Sequence, residues 1–382
     1  MINDSYGHYV GDMLLQQIAS ELLDMNLTDF HEVFVARIGG DEFLLIIKGI
    51  ESIEQGKFAA KQVLRHLSRE YTIEGNLINV RVSIGVAIYP MHGETSEELL
   101  KNADMAMYKA KELGRNRFAM YDESLTEKLH MKLNLTNRLI QASKNNEFVL
   151  FYQPIYGLQG GTLKGYEALL RWNCPAEGLL APGLFIDAAE EIGLIIELGP
   201  WMLGKCIEFT KKINSGLREG CKCTVSMNVS PRQLLSEDFT SMFAMALQHT
   251  QIEPGWIGVE VTESVLVEDF DAAISKLFEL KDMGVKISLD DFGTGYSSLN
   301  YLLKLPIDVV KIDRSFIEDI TRDEKSRIVT DKVINLAKGI GFEVIAEGVE
   351  TQEQLVLLRE FSCDAIQGFL MGKPAPDDEW IS

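Results

Sequence analysis

Residues 257–289 read IGVEVTESVLVEDFDAAISKLFELKDMGVKISL. A β-rich segment at 257–261 is followed by a stretch at 264–283 long enough for a helix, then by a second β-rich segment at 286–289. Parallel strands cannot be joined by a tight turn, so a strand, a helix-length crossover and a strand form the repeating unit of a parallel sheet. Working outward, the alternation covers 148–382, with β-rich segments at 148–153, 165–170, 224–228, 257–261, 286–289, 309–311, 343–346 and 365–367. From the second onward they are separated by helix-length stretches such as 326–340. The expectation is an α/β fold whose C-terminal part is a (β/α)8 TIM-like barrel, and about 235 residues suit one. Only 154–164 separates the first two segments, too short for a crossover helix, so the first strand should be antiparallel.

Active sites of such barrels lie at the C-terminal ends of the strands. Here those ends carry Glu167, Asn228, Glu260, Asp290 with Asp291, Lys311, Glu347 and Gln367. Any one alone reads equally as a solvated strand terminus or a hydrogen-bonded core carboxylate. Together, five carboxylates opposed only by Lys311 and Arg171 could not all stay ionised without strongly raised pKa values. Cations are therefore expected. The candidate ligands are all oxygens, which favours Mg2+ or Mn2+ over zinc. More carboxylates than one ion usually takes point to two ions, an arrangement suited to phosphoryl displacement. The residues alone lead to metal-dependent phosphoester hydrolysis.

Composition agrees with this and excludes other classes. The 382 residues carry 37 Lys+Arg against 57 Asp+Glu, a net charge of −20. A surface of that sign repels phosphate backbones, so a nucleic-acid polymer is not the expected partner. Five cysteines (Cys174, Cys206, Cys221, Cys223, Cys363) are sparse and odd in number, which argues against a disulfide framework and for a reducing compartment. Cys221 and Cys223 lack the partners of a zinc site. No apolar run approaches a membrane span and no signal peptide is visible; a cytoplasmic location is expected.

Before residue 120 the chain changes character. A helical spacing at 12–23 is followed by two extended runs, 33–38 and 43–47, joined by Gly39 and Gly40 as a hairpin. Then come a helix at 58–67, a β-rich run at 77–88 and an amphipathic helix at 97–113 stopped by Gly114. Between 122 and 145, Leu125, Leu129, Leu133 and Ile140 are expected to share the apolar face of a helix. That helix reads as a simple connector or as a signalling element between domains.

The segments GYEALLRW (165–172), SMNVS (226–230), VEVTES (259–264), DDFGTGYSSL (290–299), KID (311–313), AEGVE (346–350) and QGF (367–369) resemble, in order, the motifs of EAL-domain cyclic-di-GMP phosphodiesterases. The resemblance implies hydrolysis of cyclic di-GMP to linear pGpG. It implies that Glu167, Asn228, Glu260, Asp290 and Asp291 hold two Mg2+ or Mn2+ ions. Glu347 would coordinate through water or act as general base, and Lys311 would neutralise the phosphate or orient the attacking water. Arg171 and Gln367 would contact the substrate or waters on the ions, Gln153 would contact a guanine, and Glu263 would brace the loop 292–299. A homodimer through this domain is also implied. Degenerate family members that only bind the nucleotide usually lack metal ligands, and none is missing here.

Segments NDSYGH (3–8), GD (11–12), RIGGDEF (37–43) and MYKAKELGRN (107–116) resemble GGDEF domains, the diguanylate cyclases. The resemblance implies guanine recognition by Asn3 and Asp12, nucleotide approach at Gly39 and Gly40, a metal and catalytic site at Asp41 beside Glu42, and phosphate contacts from Lys111 and Arg115. The family begins with a helix and a strand ending in a metal-binding aspartate, both ahead of Met1, so this α/β domain is expected to lack them. The feedback-inhibition motif is replaced by Phe30 and Val33. The organisation expected is a truncated GGDEF domain at 1–120, a linker helix at 121–146 and an EAL domain at 147–382. The GGDEF part should bind GTP or regulate rather than cyclise, with an upstream sensor domain possible in a longer parent. The alternatives are a non-catalytic cyclic-di-GMP receptor and a bifunctional enzyme.

Overall fold

The computed structural model describes residues 6–25, 32–218, 221–265, 269–293 and 302–381, with the backbone alone for 125–130. The chain forms two compact units, Met1–Leu133 and Asn134–Ser382.

In the first unit, α1 (His8–Asp24) precedes the antiparallel hairpin of β1 (Glu32–Gly39) and β2 (Glu42–Lys48). Gly40 has φ 55, a left-handed turn position that glycine occupies without strain, and Arg37 closes the turn by donating to its carbonyl at 2.6 and 3.0 Å. Next come α2 (Ile53–Leu67), β3 (Glu70–Ile73), β4 (Asn76–Asn79), β5 (Ser83–Val86), α3 (Ser96–Glu112) and β6 (Arg117–Met120). The capping box of Thr95 and Glu98 starts α3. The β-rich run at 77–88 is divided: β4 pairs antiparallel with β3, whereas β5 pairs parallel with β6. The run hid this because strands of four residues carry little periodic signal. Val10, Leu14, Ile18 and Leu22 of α1 pack with Val63, Leu67, Tyr71 and Ile78 as the core. Phe34, Ile38 and Ile46 of the hairpin stay exposed.

Helix α4 (Glu123–Lys144) contains the division between the units. Its expected apolar face is corrected by the structure. Leu133 and Ile140 are 53% and 40% exposed, while Leu139 and Ala142 are fully buried and Leu135 packs beside them. Residues 135, 139 and 142 share a face by 4 and 3 spacing, and neighbours on a helix point about 100° apart. The side chains of Leu125 and Leu129 lie outside the described residues.

The second unit contains β7 (Phe148–Gly157), β8 (Leu163–Cys174), β9 (Gly178–Leu180), α5 (Ile186–Glu191), α6 (Leu194–Ser215), β10 (Thr224–Asn228), α7 (Pro231–Leu234) and α8 (Phe239–Thr250). It continues with β11 (Ile257–Thr262), α9 (Phe270–Asp282), β12 (Lys286–Phe292), β13 (Val309–Ile312), α10 (Arg314–Ile317), α11 (Glu324–Ile340), β14 (Glu343–Ala346), α12 (Gln352–Glu360) and β15 (Ala365–Gln367). The order β8-β10-β11-β12-β13-β14-β15-β7 closes on itself as an eight-stranded barrel. As expected, β7 is antiparallel to both neighbours and the other pairs are parallel. β9 extends the outer end of β8 and was not anticipated.

Strand alternation sorts the barrel interior into layers. Ile155, Val309, Ile345 and Ala365 form an apolar floor. Two residues further along the parallel strands stand Lys311, Glu347 and Gln367, with Glu167 and Glu260 at the corresponding places of β8 and β11. Because β7 runs the other way, its contribution to this upper layer is Gln153, two residues before Ile155. Gly258 is required lower down, where a Cβ would collide with Ser226 Oγ.

Candidate active site

Lys311 organises the upper layer. It is 0% exposed, and its Nζ lies 2.5 Å from Glu260 Oε2, 2.5 Å from Glu347 Oε1, 3.2 Å from Glu167 Oε2 and 3.7 Å from Asp290 Oδ1. Glu167 is further held by Asn228 Nδ2, donating to Oε1 at 2.6 Å, and by Gln367 Nε2, donating to Oε2 at 2.5 Å. Burial pushes the Glu167 carboxyl up, but Lys311 and these two amides outweigh it and leave it below its ordinary value. At Glu260 and Asp290 burial wins over Lys311 and both are raised, Glu260 well above the carboxylate range. Burial pushes Glu347 up to about 8. Burial would lower the Lys311 ammonium, yet Asp290, Glu167, Glu260 and Glu347 hold it well above its ordinary value.

Asp290 and Asp291 are consecutive, and a regular strand would send them to opposite faces. The register of β12 against β13 shifts between Leu289 and Phe292, and Asp291 takes φ 55. This backbone costs energy for a non-glycine residue and is found where a site demands it. The result brings one oxygen each of Asp290, Asp291 and Glu347 within 4.8 Å of one another. Burial, then Asp290, raises the Asp291 carboxyl too. One buried ammonium among these acids leaves negative charge for which a hard divalent cation is the fitting counter-charge, and the donors are all oxygens.

A cavity opens over this cluster, lined by Glu167, Asp290, Glu347, Gln367 and Gln153 from the strand ends and by Leu169, Arg314, Gly348, Glu350, Gly368 and Phe369 around them.

A sequence profile described as EAL domain matches residues 136–374, and one described as diguanylate cyclase, GGDEF domain, matches 1–117. The chain belongs to the EAL domain family. Among curated proteins, the EAL chain is 38% identical over 383 residues to the bifunctional diguanylate cyclase/cyclic di-GMP phosphodiesterase MucR of Pseudomonas aeruginosa, covering 100% of this chain and 55% of MucR. It is 34% identical to the cyclic di-GMP phosphodiesterase PdeR of Escherichia coli, over 98% of this chain and 56% of PdeR. The chain thus spans about half the length of the curated relatives it matches. Among solved structures, the PaMucR phosphodiesterase in complex with c-di-GMP aligns with TM-score 0.62 and 37% identity, over 65% of this chain and 99% of that one.

The EAL barrel brings together Glu167, Asn228, Glu260, Asp290, Lys311, Glu347, Gln367 and Gln153, with Asp291 beside Asp290. Arg171 is not among the residues that line the cavity: its Nη1 donates to the Leu170 carbonyl at 2.8 Å and its guanidinium faces the Phe151 ring, and burial lowers the guanidinium while the charge of Glu167 opposes this. Glu263 is buried and accepts from the Gly293 amide at 3.0 Å; the loop beyond Gly293 lies outside the described residues. Sequence reasoning missed Arg314, Glu350 and Phe369. Arg314 is half exposed, pairs with Glu350 at 3.3 Å and Glu318 at 3.1 Å, and packs over Gly348, where it leaves no room for a Cβ. The signal was available, since all three sit within three residues of a strand-end residue already singled out.

In the GGDEF part, Gly39, Gly40, Asp41 and Glu42 form the exposed hairpin turn, and Asp12, Lys111 and Arg115 are exposed on α1, on α3 and just after α3. Asn3 and Phe30 lie outside the described residues. No helix among the described residues is long and apolar enough to cross a membrane.

Proposed function

We propose that this chain hydrolyses one phosphodiester of cyclic di-GMP to give linear pGpG, with Mg2+ or Mn2+ held by Glu167, Asn228, Glu260, Asp290 and Asp291. The observation that carries this reading is the ring of buried carboxylates around Lys311 at the mouth of an EAL barrel. Two divalent ions there would supply charge stabilisation for the attacking and leaving oxygens of an in-line displacement. Lys311 keeps Glu167, Glu260 and Glu347 converged despite their mutual repulsion. Glu347, whose Oε1 lies 2.5 Å from Lys311 Nζ and which stands beside Asp290 and Asp291, is the proton acceptor for the attacking water. Asn228 and Gln367 fix the Glu167 carboxylate from two sides. The cavity lining adds Arg314 and Glu350 as groups that meet the nucleotide.

The domain at 1–120 is read as regulatory, a place for GTP rather than a cyclase, with 121–146 as linker, 147–382 as the phosphodiesterase and a second copy docking through the barrel. Purified chain with Mn2+ should convert cyclic di-GMP to pGpG, followed by chromatography; tight nucleotide binding without product would replace this reading with that of a receptor.

A further inference from the structure

We infer that the C-terminal segment 371–380 is a positioning element of the barrel mouth, in which the Gly372 carbonyl oxygen anchors the outer end of an amide relay, Gln153 to Gln367, that ends on Glu167. A backbone carbonyl can only accept, so the amide facing it must present its NH2. Gln153 Nε2 donates to Gly372 O at 3.1 Å. The Gln153 oxygen is thereby turned to Gln367, whose Nε2 donates to it at 3.1 Å and to Glu167 Oε2 at 2.5 Å. Reversing Gln153 would set oxygen against oxygen at Gly372 and NH2 against NH2 at Gln367. Reversing Gln367 would set its oxygen against the Glu167 carboxylate. Two acceptors, the Gly372 carbonyl at one end and the Glu167 carboxylate at the other, therefore agree on how two buried amides point.

The consequence lies at Gln367. Its Oε1 is buried with no hydrogen-bond partner, on a cavity-lining side chain only 4% exposed. The relay presents an acceptor there; the opposite polarity would present a donor. An acceptor suits the N–H and O–H groups of a nucleotide, the guanine amine or a ribose hydroxyl. This part of the inference rests on the phosphodiesterase reading; the relay itself does not.

The segment is seated on residues adjacent to the relay. Tyr152, next to Gln153, exchanges backbone hydrogen bonds with Ala375 at 2.7 and 3.1 Å. Trp380 Nε1 donates to the Tyr152 carbonyl at 2.9 Å, and its ring lies 5.6 Å from that of Tyr166, next to Glu167. A Cβ on Gly372 would fall 2.8 Å from Pro154 Cγ and 3.0 Å from Trp380 Cη2, so the indole and the Pro154 ring hold the backbone that presents the carbonyl to Gln153.

A double-mutant cycle with Trp380→Ala and Gln153→Met tests this, with Trp380→Phe, which keeps the ring and loses the N–H, replacing Trp380→Ala if that variant does not fold. The readouts are kcat/KM for cyclic di-GMP with Mn2+ and, separately, Mn2+ affinity by calorimetry. Each single change should lower both by about threefold to tenfold, the size of one lost neutral hydrogen bond. The double variant should be no worse than Gln153→Met, because the segment acts through that amide. Additive losses would overturn the relay, as would wild-type Mn2+ affinity in Gln153→Met, since a segment that only stabilised the fold would add independently. A wild-type chain that binds Mn2+ but makes no pGpG defeats the phosphodiesterase reading alone, and the Mn2+ cycle still decides the relay.

Discussion

The strand-end acids of the barrel and the acids of the GGDEF motif segments stand in opposite surroundings. Glu260 is 1% exposed and Glu167 6%, each fixed by named partners, whereas Asp12, Asp41 and Glu42 face solvent. The difference follows from sheet closure. In a closed barrel every second side chain converges on the axis, so carboxylates from different strands are forced together and must be neutralised. Among the described residues of the N-terminal unit, the strands pair only two by two, and the glycine turn carries its acids outward.

The largest expected effect separates the two regions chemically. Glu167→Ala should lower cyclic di-GMP hydrolysis by about a thousandfold or more, because it removes a proposed ion ligand and the partner of two amides and a lysine. The same variant supplied with GTP should form no cyclic di-GMP, measured by the same chromatography; product would show that the exposed hairpin is a working cyclase site.

Next in size is Lys311→Met. Removing this buried cation strands its carboxylates, a loss of about 3–5 kcal/mol in ion-free protein by urea unfolding, and Mn2+ should restore part of it. Unchanged stability would mean the acids do not depend on that ammonium. On α4, Leu139→Ala should cost about 2–5 kcal/mol, but Ile140→Ala no more than about 0.5; equal effects would return the helix to the face expected from its sequence.

A further effect is a pH slope. The folded Glu347 carboxyl is raised to about 8 from 4.5, and Glu260 and Asp290 are raised in the same direction. Such groups bind protons more tightly when folded, so their stabilisation is complete below the unfolded value and is lost as pH rises towards the folded one. Ion-free barrel should therefore melt at a lower temperature at pH 8 than at pH 5, with Glu167 opposing weakly, and Mn2+ should flatten the slope by replacing the protons. A barrel that melts higher at pH 8 without ions would reverse the assignment.

The barrel was legible because strand-end position places a side chain without knowledge of its neighbours: Glu167, Glu260, Lys311 and Gln367 could be named from spacing and all converge. What was not legible depends on backbone departures and long-range packing. That Asp290 and Asp291 share a mouth requires the bulge at φ 55, which the pair of residues does not announce. The Gly372 carbonyl has no side chain to notice. Leu139 and Ile140 are both apolar, and only the docked helix shows which one is buried.

The buried acids of the barrel mouth form an ion site only if they take up divalent cations. Titration of the metal-free chain with Mn2+ at neutral pH, following free ion by electron paramagnetic resonance and released protons by pH-stat, tests this most directly. Saturable uptake of two ions per chain with proton release, abolished by Asp290→Asn with Glu260→Gln, is the predicted result; no saturable uptake, or uptake unaffected by those changes, would contradict it.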